Sequence, residues 1–251
     1  MNIALLPGER LDDLQTGGLR LIQRPGTFCF GTDTVLLADF SAPRPRDRIV
    51  DLGCGNGAIA LLLAGHRSDV TVEAVEIQPE MADMASRSVQ INHLEDRIQV
   101  HCCDMRDAWR RIGREKCSLV VCNPPYGGQG ATIGNIRAAQ RIARHEADLT
   151  PEDIAASASS LVKYGGRFCV VYPSARAFEM MAAMARVNLT PKRLRSVHAR
   201  IEKPPKLVLL EGVKGGGSGV KWLPPLILYE NDGSTSREWR RIYGQLDEDS
   251  R

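Results

Sequence analysis

The chain has 251 residues, 43% hydrophobic and 25% charged, enough apolar material for one large buried core. No stretch approaches the roughly 18 apolar residues of a membrane span, and residues 1–8 lack the basic and apolar regions of a secretory leader. A net charge of +3 is too small to announce a nucleic-acid partner by itself.

Residues 1–46 read as an extension packed on the core, with a turn at Gly17-Gly18, a short strand over Leu19–Gln23 and a helix over Thr32–Phe40. Residues 47–251 form the domain proper. There β-branched runs alternate with helical stretches: strand Ile49–Leu52, helix from Ala58, strand Val70–Ile77, helix Pro79–Ile91 with Pro in its first turn. Strands follow at Ile98–Cys103 and Ser118–Cys122, the second a continuous apolar run of the kind buried on both faces. Thr150-Pro151 starts a helix expected to reach Lys163, where Gly165-Gly166 ends it, and Arg167–Tyr172 is the next strand. Ser174 is expected to cap a helix to Val187, and strands at Arg193–Ile201, Leu207–Val213 and Leu226–Tyr229 close the chain. The alternation predicts an α/β fold, a doubly wound and mostly parallel sheet with an antiparallel C-terminal edge.

The seven cysteines, Cys29, Cys54, Cys102, Cys103, Cys117, Cys122 and Cys169, are odd in number, lack CxxC spacing and sit mainly in apolar runs. The five histidines form no ligand-like pair. Reduced thiols in a cytoplasmic protein, with no metal and no membrane association, are expected.

Asp51-Leu52-Gly53-Cys54-Gly55-Asn56-Gly57 joins a strand to a helix. Gly53, Gly55 and Gly57 allow a tight turn and close approach of a ligand to the helix N-terminus. Gly53-x-Gly55-x-x-Ala58 also satisfies the loose dinucleotide fingerprint, so the glycines alone do not choose the cofactor. Asp51 tips the balance. A fixed carboxylate suits a pyrophosphate badly, and suits well the sulfonium and ammonium of S-adenosylmethionine. Glu76, ending the second strand before Ile77, is placed to accept from both ribose hydroxyls. Asp104 can take the adenine amino group with Met105 against the ring, although Asp at a strand end is also a common helix cap.

The fourth strand runs into Asn123-Pro124-Pro125-Tyr126. Two prolines cannot continue a central strand; they stiffen the chain at the carboxyl edge, where such sheets bind ligands. The Asn123 amide oxygen and the Pro124 carbonyl can then face one point. Paired acceptors there suit an NH2 on a planar ring or amide. Accepting both its N–H bonds favours the pyramidal, nucleophilic form. Tyr126 offers a face for a flipped-out base.

Together with Phe30-Gly31-Thr32-Asp33 upstream, Ala143-Arg144-His145-Glu146 and Lys206–Glu211, these motifs resemble the bacterial tRNA adenine-N6 methyltransferases of valine tRNA, within the amino-methyltransferases that carry Asn-Pro-Pro-Tyr. The likeness covers nearly the whole chain. It implies a Rossmann-like methyltransferase fold and S-adenosylmethionine as cofactor. It implies cofactor roles for Asp51, Gly53, Glu76, Asp104 and Asn123, and substrate-base contact for Asn123 and Tyr126; Gly55, Gly57, Ile77 and Met105 join the expected cofactor contacts, and Asn123, Pro124 and Tyr126 are the expected catalytic residues. It also implies that Thr32 and Asp33 lie near the cofactor; from composition alone these two read equally as a helix cap.

The basic residues choose the substrate. Lys192, Arg193, Arg195, Arg200, Lys203 and Lys206 face a single acid, Glu202, in their segment, and Arg137, Arg141 and Arg144 share a helical face. Of these, Arg137, Arg141, Arg195, Arg200, Lys203 and Lys206 are the expected RNA contacts, with solvated surface the competing reading. The expected partner is RNA, bound by a monomer or weak dimer; the resemblance implies tRNA, modified beside the anticodon. A protein-glutamine methyltransferase and a weakly catalytic RNA-binding protein are the alternatives.

Overall fold

The computed structural model describes residues 4–15, 17–26, 30–125 and 149–244. Their sheet has nine strands. In chain order the elements are the hairpin β1 (Arg10–Asp13) and β2 (Arg20–Gln23), α1 (Thr32–Ser41), β3 (Arg48–Leu52), α2 (Ala58–His66), β4 (Thr71–Glu76) and α3 (Pro79–Ile91). There follow β5 (Ile98–Cys102), a short 3₁₀ turn, α4 (Trp109–Ile112), β6 (Cys117–Cys122), α5 (Pro151–Leu161) and β7 (Val162–Pro173). The chain then forms a second 3₁₀ turn (Ser174–Arg176), α6 (Ala177–Arg186), β8 (Leu189–His198), β9 (Leu207–Lys214), β10 (Lys221–Trp222), β11 (Leu226–Ile227) and α7 (Arg237–Ile242).

The main sheet has the order β10-β8-β9-β7-β6-β3-β4-β5, with β11 also paired to β8. Strands β7, β6, β3, β4 and β5 are parallel, and β9 runs antiparallel between β7 and β8. The predicted doubly wound sheet with an antiparallel C-terminal edge is therefore what forms.

Alternate residues of the central strands fill two separate cores. Ile49, Val72, Leu119, Val121 and Leu209 point to the side covered by α1 and α2. Val50, Leu52, Val75, Val120 and Leu210 point to the side covered by α5 and α6. This two-faced burial explains why β6 reads as a continuous apolar run, and β3 as one interrupted only by Asp51. The hairpin and α1 share the first core: Leu14, Leu19, Leu21, Val35, Leu36 and Leu37 pack with the sheet. α5 begins as its sequence dictates. Thr150 accepts from the Asp153 amide, Asp153 returns a bond to the Thr150 amide, and Pro151 occupies the first turn.

Four local expectations are corrected. α5 ends at Leu161, and the chain passes directly into β7. Gly165 and Gly166 do not terminate the helix; they lie inside β7, where its pairing with β6 shifts register between Cys117 and Leu119. Gly165 has φ +72°, and a Cβ on Gly166 would lie 2.6 Å from Val162 Cγ2, so only glycine fits this irregularity. Ser174 does not cap α6; its hydroxyl donates to the Pro205 carbonyl at 2.6 Å, and the helix proper starts three residues later. β8 begins at Leu189, before Pro191, because a register shift between Pro191 and Arg193 absorbs the missing N–H. β1 and β10 are short strands that the sequence pattern did not mark.

One buried ionic cluster ties the N-terminal region to the sheet. Arg167, 3% exposed, donates to the Ser41 carbonyl at 2.7 Å and pairs with Asp47 and Glu211. Glu211 also accepts from Arg193, whose guanidinium bonds the Phe40 carbonyl and lies over the Phe40 ring. Two arginines thus cover the carbonyl end of α1, where the helix dipole favours positive charge. Arg167→Ala strands buried acceptors and carboxylate. Denaturant unfolding is expected to show a loss of about 3–5 kcal/mol, and Arg167→Lys only partial recovery because the planar fork is lost.

Candidate active site

The site grows from strand register. Leu52, at the end of β3, pairs with Val75 of β4 on one side and with Cys122 of β6 on the other. Gly53, Glu76 and Asn123 consequently leave the carboxyl edge side by side, with neighbouring strands about 5 Å apart. Glu76 in turn pairs with Cys102 of β5, which brings Asp104 and Met105 to the same edge.

The glycine loop is held from β4. The Gly53 and Cys54 amides donate to the Val75 carbonyl at 2.8 and 2.9 Å. The buried Glu76 carboxylate accepts from the Gly55 amide at 2.9 Å and from the Gln78 amide at 2.8 Å. Gly57, at φ +88°, begins α2; a Cβ there would lie 3.2 Å from Ala85 of α3. The turn is thereby locked between two helices. Glu76 bonds the loop itself, a role additional to the expected ribose contact, and each oxygen keeps a free lone pair for a ligand.

Asp51 is the exceptional group. Its carboxylate is fully buried and neither oxygen has a hydrogen-bond partner. Burial pushes its pKa up to about 7, against the Ala60 amide, which favours the charged form; the Glu76 carboxylate adds to the rise. The thiol of Cys54 is pushed up strongly by burial and by the same two carboxylates, and is therefore inert. A buried, unanswered carboxylate beneath a glycine loop is the place where a cationic ligand gains most.

Ile77 presents an apolar side chain, 47% exposed, beside Glu76. The Met105 methyl lies 3.6 Å from where a Gly53 Cβ would stand, so Met105 flanks the loop. Asp104 accepts from the Arg106 amide and pairs with its guanidinium at 2.6 Å, which holds its pKa low. It is thus both cap and carboxylate at this edge. Thr32 and Asp33 are inside α1 rather than capping it; Gly31 holds the N-cap position with no side-chain bond. Thr32 is bonded to Tyr243, and burial raises the Asp33 pKa.

Sequence reasoning passed over Gln23 and Asn56. Asn56, in the glycine loop, donates to the Ile22 carbonyl at 3.3 Å, and buried Gln23 accepts from the Phe30 amide at 2.8 Å. Together they tether the approach to α1, through the hairpin, to the glycine loop. The available signal was a polar residue closing a short apolar strand.

Asn123 is buried at the end of β6, and Pro124 is buried beside it. Tyr126, Arg137, Arg141 and Arg144 lie outside the described residues. Among the remaining cations, Arg195 pairs with Glu238 at 2.7 Å and bonds the Pro224 carbonyl, so its charge is answered within the chain. Arg200, Lys203 and Lys206 lie in the β8–β9 connection, and Lys203 and Lys206 are exposed. Pro173 pairs with Leu207, and Leu207 with Val197, so this connection stands at the same carboxyl edge as Asn123.

Residues 18–188 match the family model described as the methyltransferase small domain. The chain belongs to that family. A tRNA1(Val) (adenine(37)-N6)-methyltransferase from Porphyromonas gingivalis is 32% identical over 187 residues, covering 72% of each chain. One of the same name from Cronobacter sakazakii is 34% identical over 155 residues, 61% of this chain, which spans 62% of that relative's length. A solved structure of a predicted O-methyltransferase from Agrobacterium tumefaciens has TM-score 0.69 at 24% identity, covering 85% of this chain and 96% of that one. A SAM-dependent O-methyltransferase from Thermotoga maritima has TM-score 0.54 at 18% identity, covering 77% and 68%. The fold is that of the S-adenosylmethionine-dependent methyltransferases, and the residues fit that cofactor: the glycine loop, the orphaned Asp51 carboxylate and Glu76 are the groups such a cation-bearing nucleoside requires.

The raised Asp51 pKa has a definite sign. Its folded value lies above the ordinary 3.8, so the ligand-free methyltransferase retains a proton that the unfolded chain has released, and its stability falls as pH rises toward about 7. A bound cation favours the carboxylate. Affinity for S-adenosylmethionine, measured by calorimetry, is therefore expected to rise between about pH 6 and 8. Asp51→Asn should flatten that rise, weaken binding about tenfold or more, and stabilise the ligand-free fold more at high pH than at low.

Proposed function

We propose that this methyltransferase transfers a methyl group to the exocyclic N6 of an adenine in tRNA beside the anticodon, in the cytoplasm. The observation carrying the proposal is the register that sets Asn123-Pro124 level with the glycine loop and Glu76. Residues 1–46 serve as an extension on the core and residues 47–251 as the methyltransferase domain. The relatives named as tRNA adenine-N6 methyltransferases support the choice of substrate.

When bound, S-adenosylmethionine supplies a methyl already activated by its sulfonium. Asp51, Glu76 and the amides of the loop Gly53–Gly57 would hold the cofactor, with Ile77 and Met105 against its adenosine, Asp104 toward its base, and Thr32 and Asp33 near by. The side-chain oxygen of Asn123 and the Pro124 carbonyl accept the two N–H bonds of the target amine. That withdraws its lone pair from the ring and directs it outward for attack. Positioning supplies much of the remaining acceleration, so no strong base is required. Tyr126 stacks on the extruded adenine. Arg200, Lys203 and Lys206, at the same edge, hold phosphates, with Arg137 and Arg141 as further contacts.

Labelled cofactor incubated with total tRNA and with release-factor protein is expected to mark only the RNA; label in protein alone would overturn the assignment. Asn123→Ala should lower turnover about a hundredfold or more while leaving cofactor affinity within about twofold. Replacing Lys203 and Lys206 together by Ala should reduce the slope of log affinity against log salt by about 1.5.

A further inference from the structure

Phe178 is 78% exposed, the most exposed of the large apolar side chains among the described residues. It belongs to the first turn of α6, whose apolar face is already filled by Met180, Ala183 and Met184. The phenyl ring therefore adds nothing to the core that the helix needs. Its place in the fold is specific. β7 lies next to β6, with Cys122 paired to Val170, and the chain reaches Phe178 by the short turn that follows β7 at the carboxyl edge.

The basic β8–β9 connection is fastened to that same turn. The Ser174 amide donates to the Lys206 carbonyl at 3.0 Å, and the Ser174 hydroxyl donates to the Pro205 carbonyl. His198 bonds the Lys203 carbonyl at 2.7 Å through one ring nitrogen and Ser196 through the other. Pro204 and Pro205 stiffen the segment between the two lysines. The exposed ring thus stands four residues after Ser174, the residue that fastens the Pro205-Lys206 backbone, and one strand beyond Asn123. Proteins that hold single-stranded nucleic acid combine these two elements: cations tracking the backbone and an aromatic face on which a base stacks.

We propose that Phe178 is a stacking platform for an unpaired RNA base flanking the methylated adenine, with Lys203 and Lys206 gripping the adjoining phosphates. This rests on the RNA reading of the active site and adds to it a substrate-positioning residue. A ring fixed on a helix holds the loop open beside the site, so the target adenine enters while its neighbour stays out. The required substrate is a splayed single-stranded loop, not a duplex.

The test uses full-length protein and an anticodon stem-loop of valine tRNA carrying a fluorescent purine analogue next to the target adenine. Phe178→Ala should weaken stem-loop binding roughly five- to a hundredfold and abolish the fluorescence change on binding. Phe178→Trp should retain both. The salt slope should be unchanged in Phe178→Ala, because no phosphate contact is lost, and cofactor affinity should equal that of the wild type. If the wild type methylates the stem-loop and Phe178→Ala binds it equally with the same fluorescence change, the platform is overturned and the RNA assignment stands. If the wild type methylates no RNA, the assignment falls and the platform with it.

Discussion

The parallel pairing of β3 between β4 and β6 is the constraint on which the rest of the site depends. Leu52 is matched to Val75 and to Cys122, and the next residues outward on the three strands are Gly53, Glu76 and Asn123. A one-residue slip of β6 would turn its buried side chains to the wrong face and carry Asn123 out of line. Both cores oppose that slip. Val120 and Cys122 fill one core while Leu119 and Val121 fill the other, so a slip would exchange these sets and mismatch the packing of both. Packing energy spent on the core thereby fixes the chemistry at its edge.

Electrostatics at that edge are deliberately unfinished. Glu76 is satisfied by two backbone amides, whereas Asp51 is buried without a partner. The fold tolerates the latter because a carboxyl whose pKa is near 7 can stay protonated until a cation arrives. The opposite solution is used at the carbonyl end of α1, where Arg167, Arg193, Asp47 and Glu211 satisfy one another completely enough to serve as structure. Two buried charged sites of the same chain thus have different purposes, and the presence or absence of partners tells them apart.

The basic residues were divided by the fold rather than by their type. Lys192, Arg193, Arg195 and Lys214 are held by carbonyls or carboxylates of the chain itself. Arg200, Lys203 and Lys206 occupy the turn at the carboxyl edge. In the sequence all but Lys214 form one run. An antiparallel strand pair sends its two ends to opposite edges of the sheet, so the turn between β8 and β9 lies at the carboxyl edge with Asn123 while the far ends of these strands do not.

Much of the chemistry was legible before any coordinates. Apolar alternation identified β3, β4, β5 and β6 to within a residue or two, Pro79 and Thr150-Pro151 marked helix starts, and the glycine loop and Asn-Pro-Pro-Tyr named the reaction class. These signals are local: a turn, a cap or a strand end is written in a few adjacent residues. What lay beyond reach was long-range. Gly165-Gly166 read as a helix stop because its partner strand was not in view, and Ser174 read as a cap because Pro205 was 31 residues away. Gln23 carried no motif and Asn56 no role within its motif, yet Asn56 joins the N-terminal hairpin to the glycine loop and Gln23 joins it to the approach to α1. The sequence alone determined the order of the strands and helices along the chain and the two motifs, glycine loop and Asn-Pro-Pro-Tyr, that follow two of those strands. Only the tertiary structure decided that Asp51 lies unanswered, that Arg195 is answered by Glu238, and that the basic turn and Phe178 share an edge with Asn123. Those outcomes depend on strand order and register, which no stretch of neighbouring residues encodes.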